Sequence, residues 1–115
     1  MKVPDAANAI VDRRKVLDYL LSAAHPHGRH KAAFFRRFGF RHAEPERLIA
    51  ALIAHVNGHD VTARSANLFG TRYNVDGALE APDGRAPIVR SVWFVVSGDT
   101  MPRFVIAVPL KRKSK

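Results

Sequence analysis

The feature that most constrains this chain is a change of hydrophobic period at Gly58. Before it, apolar residues recur at helical spacing. After it, they alternate in short runs separated by turn residues. Leu48, Ile49, Leu52, Ile53 and Val56 fall on one helical face, entered at Pro45, which suits a first helical turn, and closed by Gly58. Asp12 is placed to cap an earlier helix from about Arg13 to Ala23, whose apolar face is Val16, Leu17, Leu20 and Leu21. Met1 to Ala9 reads as extended. Pro26 and Gly28 break the chain over Ser22 to Gly28. A further helix follows from about Arg29 to Phe38, ended by Gly39 at the usual left-handed cap. Phe34, Phe35 and Phe38 lie at the spacing of a buried stripe.

Beyond Gly58 the expected strands are Val61 to Ala66, Thr71 to Leu79, Ile88 to Val96 and Arg103 to Val108. In the second, Tyr73, Val75, Gly77 and Leu79 point one way. Pro82-Asp83-Gly84 and Gly98-Asp99 are tight-turn signals. Short strands joined in sequence by turns predict an antiparallel meander. The expected fold is therefore α+β, with three N-terminal helices packed on one face of a C-terminal antiparallel meander of about four strands. At 115 residues the chain suits a single domain, 1–115, with its cleft on the uncovered face of the sheet.

Charge is the first pointer to function. Nineteen Lys and Arg against ten Asp and Glu give a net charge of +9 and a pI near 10.9. Such an excess repels itself unless it meets phosphate or acidic partners. It is also unevenly placed, with no acidic residue between Asp18 and Glu44. A second basic run, Lys111 to Lys115, reads as a disordered, solvated tail. Cysteine is absent, which excludes disulfides and thiolate metal sites. No apolar run is long enough to span a bilayer, and Met1 to Ala9 does not resemble a secretory leader, so the expected location is cytoplasmic.

The stretch His25-Pro26-His27-Gly28-Arg29-His30-Lys31 opens the second helix. A helix start exposes unpaired N–H groups and carries about half a positive charge, so acidic residues normally gather there. Here cations do. An outside anion would offset that repulsion. His27, Gly28, Arg29 and His30 are thus candidates for a phosphate cradle, with Gly28 allowing close approach. The alternative is that these side chains splay into water. His25-x-His27-x-x-His30 matches no metal-ligand spacing. Gly58 separates His55 from His59, so neither metal nor cofactor is expected. No P-loop, nucleophile elbow or H-E-x-x-H motif is present. The remaining chemistry, histidine with arginine, lysine and tyrosine, suits metal-independent RNA cleavage. A neutral histidine takes the 2′-hydroxyl proton while cations stabilise the phosphorane.

The string H-P-x-G-R-x-K-A-x-F-F, His25 to Phe35, resembles the signature of an uncharacterised bacterial domain family. The likeness continues through Gly70, Tyr73, Gly77, Pro82, Gly84, Arg85, Val89-Arg90-x-x-Trp93, Pro102 and Pro109. Its members resemble small stand-alone proteins or C-terminal modules encoded beside small partner genes. Their layout is similar to the barnase, EndoU, colicin and RelE-like toxin ribonucleases. The resemblance implies an endoribonuclease of toxin type restrained by a small, acidic antitoxin or immunity protein. His25 and Lys31 would be catalytic from the helical side, and Tyr73 and Arg90 from the sheet. Arg90, between apolar neighbours, must face a cleft or reach a partner such as Glu80 or Asp76. By residue type alone, Tyr73 reads more readily as a core ring with a wet hydroxyl than as a catalytic phenol. Where family members show Thr-Ala-Tyr-Pro, this chain has Ile106-Ala107-Val108-Pro109, which lacks two hydroxyls. The alternative function is a non-catalytic basic module that binds nucleic acid or a protein partner.

Overall fold

The computed structural model describes residues 1–17 and 29–110, with residues 29–31 described by their backbone. Three helices, α1 (Arg13–Lys15), α2 (Arg29–Arg37) and α3 (Pro45–Gly58), precede four strands. These are β1 (Val61–Asn67), β2 (Gly70–Ala78), β3 (Ile88–Val96) and β4 (Arg103–Pro109). The strands form one antiparallel sheet in the order β1-β2-β3-β4, a meander as the turn spacing implies.

Local chemistry explains most boundaries. The Asp12 carboxylate accepts a hydrogen bond from the Arg14 N–H at 2.9 Å, so it caps α1. Val16, just past α1, is fully buried, and residues 18–23 of the expected first helix, with Leu20 and Leu21, lie outside the described residues. Gly39, at φ 100°, follows the end of α2. Pro45 stands at the first turn of α3.

Leu48, Leu52 and Val56 of α3 are fully buried against Tyr73, Val75, Val89 and Trp93 of the sheet. This cluster holds most of the large buried side chains, and burial of each contributes about 1.5–3 kcal/mol relative to exposure. The phenylalanine stripe of α2 is only partly core. Phe35 is buried, whereas Phe34 and Phe38 are half-buried. Those two rings meet each other at 5.0 Å and line a shallow depression with Arg85, Pro87, Ile88 and Leu110. The Arg85 guanidinium stacks 4.4 Å over Phe38. It also donates to Asp83 at 2.6 Å and to the Arg37 carbonyl at 2.8 Å, which ties the end of α2 to the β2–β3 turn.

The N-terminal segment is not simply extended. A 3-10 turn at Ala6–Asn8 buries Ala6, and Val3 is also in the core. Asn57 of α3 donates to the Ala6 carbonyl at 3.0 Å. The Ile10 backbone then pairs in parallel with the start of β4. The segment thereby links α3 to the edge of the sheet.

Candidate nucleic-acid interface

Strand register sorts the sheet residues into two faces. Tyr73, Val75, Ser91 and Trp93 face α3 and the core. The other face is set by the cross-strand partners Ser65, Arg72, Phe94 and Arg103, which form one row across all four strands. Directly opposed residues in such a row have Cβ atoms about 5 Å apart. Phe94 is therefore flanked by a guanidinium on each side. Arg72 and Arg103 are exposed and Phe94 is half-buried. The next row is Ala63, Asn74, Val92 and Ile106. The one after it contains Asp76, Arg90 and Val108.

Gly70 explains where the Phe94 ring sits. A Cβ at Gly70 would fall 2.7–2.8 Å from two atoms of that ring and 2.2 Å from the Val95 carbonyl oxygen. Any side chain there would push the ring off the backbone it covers. Glycine at this position thus shapes the apolar floor of the basic row.

Arg90 makes a bidentate pair with Asp76, Nε to Oδ1 at 2.7 Å and an outer nitrogen to Oδ2 at 2.9 Å. Of the two partners weighed from the sequence, it takes Asp76, its direct cross-strand neighbour. The hydrogen bond and charge of Arg90 hold the Asp76 carboxyl below the usual carboxylate value, and the same contact raises the arginine. Arg90 therefore arrives at the surface already neutralised. Tyr73 lies on the opposite face, only 6% exposed. The two sheet residues expected to act together do not share a cleft. Ile106 and Val108, at the positions where the resemblance expects hydroxyls, lie opposite Val92 and Arg90.

His25, His27 and Gly28 lie outside the described residues. Of Arg29, His30 and Lys31 the structure gives the backbone, and it begins α2 at Arg29 as expected. Residues 111–115 also lie outside. No group of three or more His, Asp or Glu placed to hold a metal occurs among the described residues. No helix among them is long and apolar enough to cross a membrane.

The sequence reading missed a buried polar network. His55 is 2% exposed and Ser91 is fully buried. The His55 Nε2 lies 3.0 Å from the Gly77 carbonyl, which can only accept, so Nε2 carries the proton. Its Nδ1 meets Ser91 Oγ at 2.9 Å, and that oxygen accepts from Trp93 Nε1 at 2.8 Å. The serine hydroxyl then donates to Nδ1, and every partner is satisfied. Burial lowers the His55 pKa, outweighing the opposite pull of its bond to the Gly77 carbonyl. His59 packs its ring 4.9 Å from His55 and donates to the Ala78 carbonyl at 2.9 Å. A Cβ at Gly77 would sit 2.5–2.7 Å from the His59 ring, so glycine is required there by close approach. The i, i+4 histidines thus fasten α3 to β2 and β3. Their separation by four residues is visible in the sequence, but the partners lie up to 36 residues away.

No curated protein matches the chain. Among solved structures, it is similar to a chain of the contact-dependent growth inhibition toxin–immunity protein complex from Klebsiella pneumoniae 342. The TM-score is 0.69 at 19% identity, over 93% of this chain and 97% of that one. At that identity the likeness is one of fold. Residues 2–111 match the family described as a domain of unknown function, DUF6883. The match spans nearly the whole sequence, from the N-terminal segment through β4, and the chain belongs to that family.

Proposed function

We propose that this chain is an RNA-directed, toxin-like protein that grips the phosphate backbone with its basic surface. The observation that carries the reading is the row Arg72–Phe94–Arg103, two exposed cations flanking an aromatic ring on the sheet face turned away from α3. Cations that follow a backbone, combined with rings that accept bases, are the general means of holding single-stranded nucleic acid. The net charge of +9 supplies the long-range attraction. The fold likeness to a chain of a toxin–immunity protein complex supports the toxin-like part. Such a protein needs restraint, and a small acidic antitoxin or immunity protein complements the charge.

In the catalytic form of this reading the protein is a metal-independent endoribonuclease. His25 takes the 2′-hydroxyl proton as that oxygen attacks the phosphorus and returns it to the 5′-oxygen as the P–O5′ bond breaks, Lys31 stabilises the phosphorane, and His27, Gly28, Arg29 and His30 cradle the phosphate. Arg90 joins only by releasing Asp76, and Tyr73 acts from beneath as a support. One observation favours the non-catalytic alternative. Ile106 and Val108 place two aliphatic side chains beside Val92 and Arg90, where hydroxyls would have offered donors to a phosphate.

The test is incubation of the purified protein with end-labelled RNA in EDTA. Cleavage that disappears in folded His25→Ala and Lys31→Ala variants supports the enzyme. Intact RNA at high protein concentration, with salt-sensitive binding, supports the binding module. Absence of both cleavage and binding refutes the RNA reading.

A further inference from the structure

At one corner of the basic face the chain forms a depression of about 590 Å³, lined by Ile10, Asp12, Lys15, Arg72, Phe94, Arg103, Phe104 and Val105. Its walls come from separate parts of the sequence. The parallel bridge of Ile10 to Arg103 closes one side. Lys15 reaches across from α1, its Nζ donating to the Val105 carbonyl at 3.3 Å. That carbonyl belongs to the irregular stretch of β4 where the register shifts opposite Val92 and Trp93. Arg72 and Arg103 stand on either side of Phe94.

We infer that this depression is a nucleotide-binding subsite, with the base against Phe94 and the phosphates held by Arg72, Arg103 and Lys15. The inference rests on the RNA reading for its physiological ligand, but its geometry is independent of residues 25–31. Five features argue for it. The volume falls in the range of small-ligand sites. The charge balance is cationic, because Lys15, Arg72 and Arg103 outnumber the one acidic lining residue, Asp12, whose carboxylate also accepts from the Arg14 N–H as the cap of α1. Arg103 meets Asp99 only at 3.5 Å, with more than half of its side chain exposed, so it can turn to a phosphate with little to give up. Arg72 makes no ion pair among the described residues. The ring of Phe94 is held in place from below by the Gly70 backbone, so a base meets a surface already ordered.

The experiment uses two probes. The first is a short, fluorescently labelled 2′-O-methyl RNA, which lacks the hydroxyl nucleophile and reports binding alone. The second is adenosine 5′-monophosphate, followed by NMR at the Phe94 ring and the Arg72 side chain. Arg72→Gln and Arg103→Gln are expected each to weaken RNA binding about tenfold, and to lower the slope of log K against log salt by about 0.7. Phe94→Leu keeps an apolar cover on Gly70 but removes the π-face. It is expected to weaken binding about tenfold with the salt slope unchanged. Arg47→Gln, the same charge change at an exposed site on α3, is the comparison, and urea midpoints establish that each variant is folded. Equal losses in Arg47→Gln and Arg72→Gln, with Phe94→Leu neutral, overturn the subsite while leaving RNA binding intact. Shifts at Phe94 with the mononucleotide but no binding of RNA support the subsite and refute the RNA reading. Absence of both signals overturns both.

Discussion

Replacing Ser91 with alanine removes one buried hydroxyl and strands two ring nitrogens at once. In the native protein that oxygen accepts from Trp93 Nε1 at 2.8 Å and meets His55 Nδ1 at 2.9 Å. Both rings are sealed from water, with Trp93 0% and His55 2% exposed, so neither nitrogen gains a solvent partner. A buried polar group left without a partner costs about 1–3 kcal/mol. Two of them, sharing one small cavity, bring the expected loss to about 2–4 kcal/mol, a large fraction of the 5–15 kcal/mol typical of a domain. The assay is urea unfolding at pH 7.5, followed by fluorescence of Trp93, the single tryptophan. With an m-value of about 1.5 kcal/mol/M, the midpoint should fall by roughly 1.3–2.7 M. The effect should also be non-additive. In the Ser91→Ala background, His55→Leu removes a nitrogen already orphaned and so costs less than in the native protein, by at least about 0.5 kcal/mol. A loss below about 0.5 kcal/mol, additive with His55→Leu, would refute the network as the fastening between α3 and the sheet.

Two further outcomes follow from the titrating groups. Because burial lowers the His55 pKa below the ordinary 6.5, the unfolded chain takes up the proton first as pH falls. Stability is then fully present above pH 6.5 and declines below it, down to the folded value, at up to about 1.4 kcal/mol per pH unit. His55→Gln should flatten that limb, and an unchanged slope in urea titrations across this window would contradict the assignment. At Asp76 the partner lowers the carboxyl below 3.8, so the stability this contributes is present above pH 3.8 and lost as pH falls through the folded value. Arg90→Gln should return the Asp76 titration, read by carbon NMR, to the ordinary range. It should destabilise the protein by about 1 kcal/mol at neutral pH, a screened value suited to a pair this accessible. The native and Arg90→Gln proteins should converge in stability in acid, and a parallel offset at all pH values would exclude the pair as its origin.

The parts of the fold that were legible share one property: their signals are local. Pro45 and Gly58 bracket α3 because one residue lacks an N–H at a helix start and the other tolerates a helix end. β3 runs from Ile88 to Val96, where β-branched and aromatic residues continue until the Gly98 turn. β1 has one large apolar residue, Val61, and its burial shows the consequence. Beyond Val61 every residue is exposed, so the strand is held by its ladder to β2 and not by apolar contacts. The spacing of Phe34, Phe35 and Phe38 overstates their burial, because spacing alone does not say how far a neighbouring element reaches. Around α2 the neighbour is the β2–β3 turn and Arg85, which cover those rings only in part.

Sequence alone determined that this chain is basic, that helices precede an antiparallel meander, and that Arg90 needs a partner or a cleft. Those conclusions depend on composition, on hydrophobic period and on the low tolerance of apolar strands for an unpaired charge. Tertiary structure decided which residues meet. Asp76 neutralises Arg90, Tyr73 turns to the other face, His55 finds Ser91, and Arg72 and Arg103 come to flank Phe94. Each outcome depends on strand register, in which a shift of one residue exchanges the two faces of a strand. That register is set jointly by the turns and by burial of Tyr73, Val75 and Trp93 beneath α3, a condition that no single segment of sequence contains.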